Sequence, residues 1–173
     1  MTKRLGMKID IKILNKEFYT QESNGLPRYQ TDGSAALDLV CTEDATIYPG
    51  ETKMIPTGLA VWIGSNTGIA GLILPRSGLG TKGLVLANTI GLIDEDYQGE
   101  LIISAWNRNE VITGQHMNYL KWNHEQIINL KAGDRIAQLM FIPVIKTEWN
   151  IVEDFNDNTQ RGSSGFGSTG IGG

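Results

Sequence analysis

Apolar and polar side chains alternate along this chain with a period of two, in short runs closed by Gly, Pro or Asn. Residues 8–13 (Lys-Ile-Asp-Ile-Lys-Ile) put every second side chain on one face, the pattern of a half-buried strand. Residues 45–48 run into Pro49-Gly50, residues 53–55 into Pro56-Thr-Gly58, and residues 59–63 into Gly64-Ser-Asn. Residues 71–75, 83–86, 89–93, 101–106, 126–130 and 135–144 read as further strands. Turn signals return about every 8–12 residues, the spacing of a β-sandwich or barrel. No window sustains an apolar period of 3.6 over three turns, and residues 77–82 offer the one place for a short helix. No domain boundary or internal repeat interrupts the pattern.

Two stretches stand apart. Residues 110–125 separate two strong strands and read as a long hairpin or loop. Residues 156–173 are rich in Gly, Ser, Asn and Thr. Such a tail has too little apolar surface to order itself and is expected to be mobile when free. Residues 1–6 precede the first patterned segment and read as an extension. They have no apolar stretch behind them, so no secretory signal is expected.

Composition narrows the function. The 173 residues suit one domain with a real core. Fifteen Lys and Arg against nineteen Asp and Glu give a net charge of −4. That argues against broad, sequence-independent nucleic-acid binding, but not against a small anionic ligand held by a few Arg and backbone N–H groups. One cysteine, Cys41, makes neither an intrachain disulfide nor a Cys-rich zinc site, which fits a cytoplasmic setting. No apolar run approaches the length of a membrane span.

Two G-x-G-x-x-G matches, at Gly78 to Gly83 and Gly165 to Gly170, lack the strand–helix context of a dinucleotide fold. The first still holds phosphate chemistry. Arg76-Ser77-Gly78 follows a strand closed by Pro75, and offers a planar guanidinium, a hydroxyl and an open backbone N–H. An exposed strand-to-turn connection explains these residues equally well. Asp94-Glu-Asp-Tyr-Gln-Gly99 lies between two apolar strands and is expected to cap a β-hairpin, where a carboxylate can serve as general base. A solvated acidic turn is the plainer alternative. Asp38 and Gln138 interrupt apolar runs, so each must find a partner, as a structural anchor or as part of a site. Arg161 and Phe166 stand among glycines in the tail, where a cation and an aromatic suit folding over a ligand. His116 and His124 have no third ligand nearby, so a zinc site is not expected. No Ser-His-Asp arrangement or G-x-S-x-G elbow is visible.

Five segments therefore follow in order: Ala36-Leu-Asp38-Leu, Pro75-Arg-Ser-Gly-Leu-Gly80, Gly91-Leu-Ile-Asp94-Glu-Asp-Tyr97-Gln-Gly99, Gly133-Asp-Arg-Ile-Ala-Gln138 and Arg161-Gly-Ser-Ser-Gly-Phe166-Gly167. Together they resemble the five motifs of the trimeric dUTP diphosphatase (dUTPase) family, over residues 7–170 apart from the loop at 110–125. The resemblance implies an all-β subunit, a distorted jelly roll or barrel of the β-clip type with at most one short helix, spanning residues 7–155. It implies a homotrimer with active sites shared between subunits, and hydrolysis of dUTP to dUMP and diphosphate with Mg²⁺. Asp94 matches the base that activates water at the α-phosphorus, and Tyr97 the residue that packs on the deoxyribose. Asn88, Leu92, Ile93 and Ile102 match the uracil-reading hairpin. Arg76, Ser77 and Gly78 match the phosphate turn, with Gln138 beside the phosphates and Asp38 near metal-bound waters. Arg161, Phe166 and Gly167 match the closing tail. A dCTP deaminase of the same fold and a non-catalytic deoxynucleotide sensor are the alternatives. The retained Asp94 and Tyr97 and the intact tail favour hydrolysis.

Overall fold

A computed structural model describes residues 6–19, 25–111, 126–155, 159 and 162–163. In chain order the described elements are β1 (Asp10–Ile13), β2 (Leu37–Val40), β3 (Ala45–Ile47), β4 (Thr52–Trp62), β5 (Ile69–Pro75), α1 (Ser77–Gly80), β6 (Leu84–Leu86), β7 (Gly91–Ile93), β8 (Glu100–Asn107), β9 (Ile128–Leu130) and β10 (Arg135–Pro143). They form two four-stranded antiparallel sheets, β1-β4-β8-β6 and β2-β10-β5-β7, and a β3-β9 ribbon. This is the all-β, jelly-roll-like subunit that the strand pattern and motif order lead one to expect. No helix among the described residues is long and apolar enough to cross a membrane.

Period-two alternation builds the core. In β8, Leu101, Ile103 and Ala105 are buried while Ile102 and Trp106 point out. Leu39, Ile55, Ile73, Ile136 and Leu139 join them in one continuous cluster. Among the described residues, the two fully buried polar side chains are satisfied. Thr57 Oγ1 donates to the Leu101 carbonyl at 2.6 Å, and Asn107 Nδ2 donates to the Ile47 carbonyl at 2.9 Å.

Two local expectations change. The runs at 53–55 and 59–63 are a single strand, β4, because a bulge absorbs Pro56-Thr-Gly58 where β4 pairs with β8. Gly58 has φ +67, and a Cβ there would press on Asn15 and Thr42, so the bulge needs glycine. The expected hairpin across residues 94–99 also does not form. β7 pairs with β5 in one sheet, while β8 pairs with β4 and β6 in the other. The acidic segment is the crossing between sheets, and β7 is an edge strand.

Candidate active site

Asp38 solves its desolvation problem with two cations. Arg76 Nε meets Asp38 Oδ1 at 2.9 Å and Arg135 Nη1 meets Oδ2 at 3.2 Å. Arg76 Nη1 also donates to the Arg135 carbonyl at 2.9 Å. The Arg76 fork is thus held from two sides, with Nη2 free of any partner among the described residues. Gln138, directly opposite Asp38 in the β2–β10 register, donates Nε2 to the Pro75 carbonyl at 2.9 Å. These residues bound a cleft of about 420 Å³ lined by Asp38, Arg76, Ser77, Gly78, Leu79, Lys82 and Gln138. At its floor, α1 begins with Ser77, Gly78 and Leu79, whose backbone N–H groups find no acceptor among the described residues, as at any helix start. Among the described residues nothing lies within 4 Å of where a Gly78 Cβ would sit, so the backbone there is bare on its Cβ side.

The second group sits at the sheet crossing. Asp94 is exposed and its carboxylate has no partner among the described residues; its carbonyl accepts the Tyr97 N–H at 3.2 Å. That bond makes Asp94 to Tyr97 a β-turn with Glu95 and Asp96 at its centre. Tyr97 Oη donates to the Glu100 carbonyl at 2.9 Å, and the ring lies so close over Gly99 that a methyl group there would overlap the phenol. Leu92 is exposed, Ile93 half-buried, and Ile102 points outward from β8. The edge of β7 away from β5 leaves main-chain groups available. Asn88 is exposed just before a strained turn. Thr89 holds φ +62, and the Ile90 N–H reaches the Asn88 carbonyl at 2.7 Å. A β-branched residue in that region is a true outlier, of the kind that clusters at functional sites.

The fold gathers Asp38, Arg76, Ser77, Gly78 and Gln138 in one place, and Asp94, Tyr97, Leu92 and Ile93 in another. It does not unite the two within one chain. Asp38 lies level with Leu74, and Asp94 level with Ala70 three strands away. At about 4.8 Å between strands and about 3.3 Å per residue, the carboxylates are on the order of 20 Å apart. Arg161, Phe166 and Gly167 lie outside the described residues, as do His116 and His124.

Arg135 and Glu95 are the contributors that motif reading passed over. Arg135 sits in a quoted motif, but only the fold, which sets it opposite Val40 in the β2–β10 register, lets its guanidinium reach Asp38 two residues along. Glu95 looks like one more acid at the turn, yet its side chain is well shielded. Hydrogen bonds from Thr67, then Lys146 and Gly68, hold its carboxyl down to about 2. Cys41 is no nucleophile, since burial pushes its thiol up.

No cluster of three His, Cys, Asp or Glu suited to a metal occurs among the described residues. Asp38 is a lone carboxylate with both oxygens ion-paired. That donor set does not fit an all-protein cage. It fits Mg²⁺ carried on phosphate oxygens and touched by protein through water.

Comparison with known proteins agrees with the motif order. The family model for dUTPase matches residues 22–118 and 111–170. The chain is 49% identical to the deoxyuridine 5'-triphosphate nucleotidohydrolase of Paraburkholderia phytofirmans, over 95% of this chain and 99% of that one. It is 48% identical to the enzyme of that name from Haemophilus influenzae, over 94% of this chain and 97% of that one. Among solved structures, a Staphylococcus bacteriophage 80alpha dUTPase variant with dUpNHpp is 28% identical, with a TM-score of 0.78 over 95% of this chain and 99% of that one.

Proposed function

The chain belongs to the dUTPase family and is a dUTP-hydrolysing enzyme, and from that premise we propose how its residues divide the work. The carrying observation is the Asp94 carboxylate, exposed and unpartnered among the described residues at the end of an edge strand. Asp94 accepts a proton from water as the water oxygen bonds to the α-phosphorus. The bond from that phosphorus to the α,β-bridging oxygen breaks, and diphosphate leaves with the electron pair. The products are dUMP and diphosphate.

Tyr97 packs on the deoxyribose and excludes a 2′-hydroxyl, with Gly99 as the bare floor that lets the ring lie flat. The open edge of β7 at Leu92 and Ile93, with Asn88 and the backbone of Ile102, reads the uracil edge through main-chain groups. Such a pocket rejects cytosine by its donor pattern and the thymine methyl by size. Arg76, Ser77, Gly78 and Gln138 hold the phosphates, and the Asp38–Arg135 pair holds Arg76 in place beforehand. Asp38 would hold a Mg²⁺ ion through its bound waters, and that ion would supply charge neutralisation for the departing diphosphate. Arg161, Phe166 and Gly167 close the tail over the nucleotide, excluding water and orienting the triphosphate.

The separation of the two residue groups supports active sites shared between copies, since Asp94 and the phosphate turn must meet one substrate. Beyond β10, Ile145, Trp149, Ile151 and Phe155 are each at least 88% exposed. Apolar side chains so bare are costly in water and call for cover by another copy, here as a homotrimer. Residues 7–155 form the catalytic body in this scheme, residues 156–173 the closing tail, and a cytoplasmic setting suits the free thiol.

Incubation with each deoxynucleoside triphosphate and Mg²⁺, followed by product separation, tests the chemistry. Diphosphate and dUMP are expected from dUTP alone. Conversion of dCTP to dUTP would return the deaminase alternative, and tight dUTP binding without diphosphate the sensor.

A further inference from the structure

Glu95 makes more directed contacts than any neighbour in the Asp94–Tyr97 turn. Its Oε2 accepts the Thr67 N–H at 2.8 Å, the Thr67 hydroxyl at 2.8 Å and the Gly68 N–H at 3.0 Å. Its Oε1 meets Lys146 Nζ at 3.1 Å, and its carbonyl accepts the Gly64 N–H at 3.1 Å. The partner loop is shaped for this, with Gly64, Asn66 and Gly68 all at positive φ. Two successive amides, Thr67 and Gly68, converge on one carboxylate oxygen, a small anion-binding concavity of main chain.

Asp94, by contrast, is aimed by its backbone alone. Its side chain has no bond among the described residues; the turn that carries it is closed by the Tyr97 N–H to Asp94 carbonyl bond, and beyond the Glu95 side chain only the Gly64 N–H to Glu95 carbonyl bond ties its centre to the neighbouring loop. Whatever immobilises that turn sets where the Asp94 carboxylate points. Resting on the assignment of Asp94 as the base, we propose that Glu95 is a positioning residue for catalysis. It latches the turn bearing Asp94 and Tyr97 to the loop at residues 64–68 and to Lys146, just past β10. It takes no part in the proton transfer. Its charge is compensated by Lys146 on one oxygen and three hydrogen-bond donors on the other, so it stays ionised beside two other acids without competing for the proton from water.

The test compares Glu95→Ala, Glu95→Gln and Thr67→Ala in the full-length protein, by steady-state kinetics on dUTP and by affinity for the non-hydrolysable analogue dUpNHpp. Misplacing a catalytic group by about 1 Å costs up to about a hundredfold. Glu95→Ala is expected to lower kcat about tenfold to a hundredfold, with KM and analogue affinity within about threefold of wild type. Glu95→Gln, which still accepts through its amide oxygen, should recover most of that loss, and Thr67→Ala should lose less than Glu95→Ala. In an Asp94→Asn background, Glu95→Ala should cost nothing more, because both act through one group. An unchanged kcat in Glu95→Ala, an equal loss of kcat and analogue binding, or a full extra loss in the Asp94→Asn background would each overturn the latch. Full turnover by Asp94→Asn itself would instead sink the assignment of the base, a result distinct from any failure of Glu95.

Discussion

Asp38, on β2, and Arg76, the residue between β5 and α1, meet at 2.9 Å, and the Arg135 guanidinium closes the other side of the same carboxylate at 3.2 Å. Asp38 thereby holds in place the arginine to which the proposed scheme gives the phosphates. Asp38→Ala should raise KM for dUTP roughly tenfold, the worth of about one charge-assisted hydrogen bond. It should also lower stability by about 1 kcal/mol, a modest cost because both guanidiniums are partly in water. Kinetics and urea unfolding check the two effects separately.

Asp94→Asn keeps the shape of the side chain and removes the proton acceptor. Turnover should fall by about 10²–10⁴-fold, the usual worth of a general base, while dUpNHpp still binds. Calorimetric titration alongside product assays separates these. Loss of binding together with turnover would show a structural role for Asp94.

Gly99→Ala should push the Tyr97 ring off its present position, since a Cβ at residue 99 overlaps the phenol. The expected result is weaker discrimination of dUTP from UTP, with hydrolysis of dUTP reduced less than the discrimination. Tyr97→Ala should weaken the same discrimination further. Measured kcat/KM ratios for the two nucleotides decide it, and an unaltered ratio in both variants removes Tyr97 from the sugar pocket.

Truncation before Arg161 should leave a folded trimer, with the same number of subunits but much poorer hydrolysis of dUTP. Light scattering and kinetics on the shortened chain check both halves. Full activity would remove the tail from the mechanism.

Acid stability carries the signature of Glu95. Its carboxyl is held down to about 2 in the folded chain, chiefly by the Thr67 hydroxyl and then by Lys146. In the unfolded chain it titrates in the ordinary range, near about 4.3. Between those values the unfolded state binds the extra proton, so stability rises with pH. The contribution is complete above the unfolded value and is lost as pH falls toward 2. Wild type and Glu95→Gln should therefore differ most in stability above about pH 5 and converge as the pH approaches 2, as followed by denaturant titration. A constant difference across that window would contradict the depressed carboxyl.

Apart from β2 (Leu37–Val40), which was not legible as a strand, and β4, which read as two, the strand positions, the turn residues, the short helical turn and the order of the five motifs were legible in the amino-acid sequence. Each depends on chemistry within a few residues: alternation with period two, the backbone freedom of glycine, the fixed φ of proline. Asp38 and Gln138 also announced themselves, because a polar group inside an apolar run must be partnered. Which partners they found was a matter of register, and register joins residues far apart in the chain. Arg135 reaches Asp38 across 97 positions. The β4 bulge and the parting of β7 from β8 likewise follow from which strand each one pairs with, a choice the alternation of a short strand leaves open. Glu95 and Asp96 read alike as acids of one turn. Only the folded loop at 64–68 sets them apart, by bringing two amides and a hydroxyl from 27 and 28 residues away onto one of them.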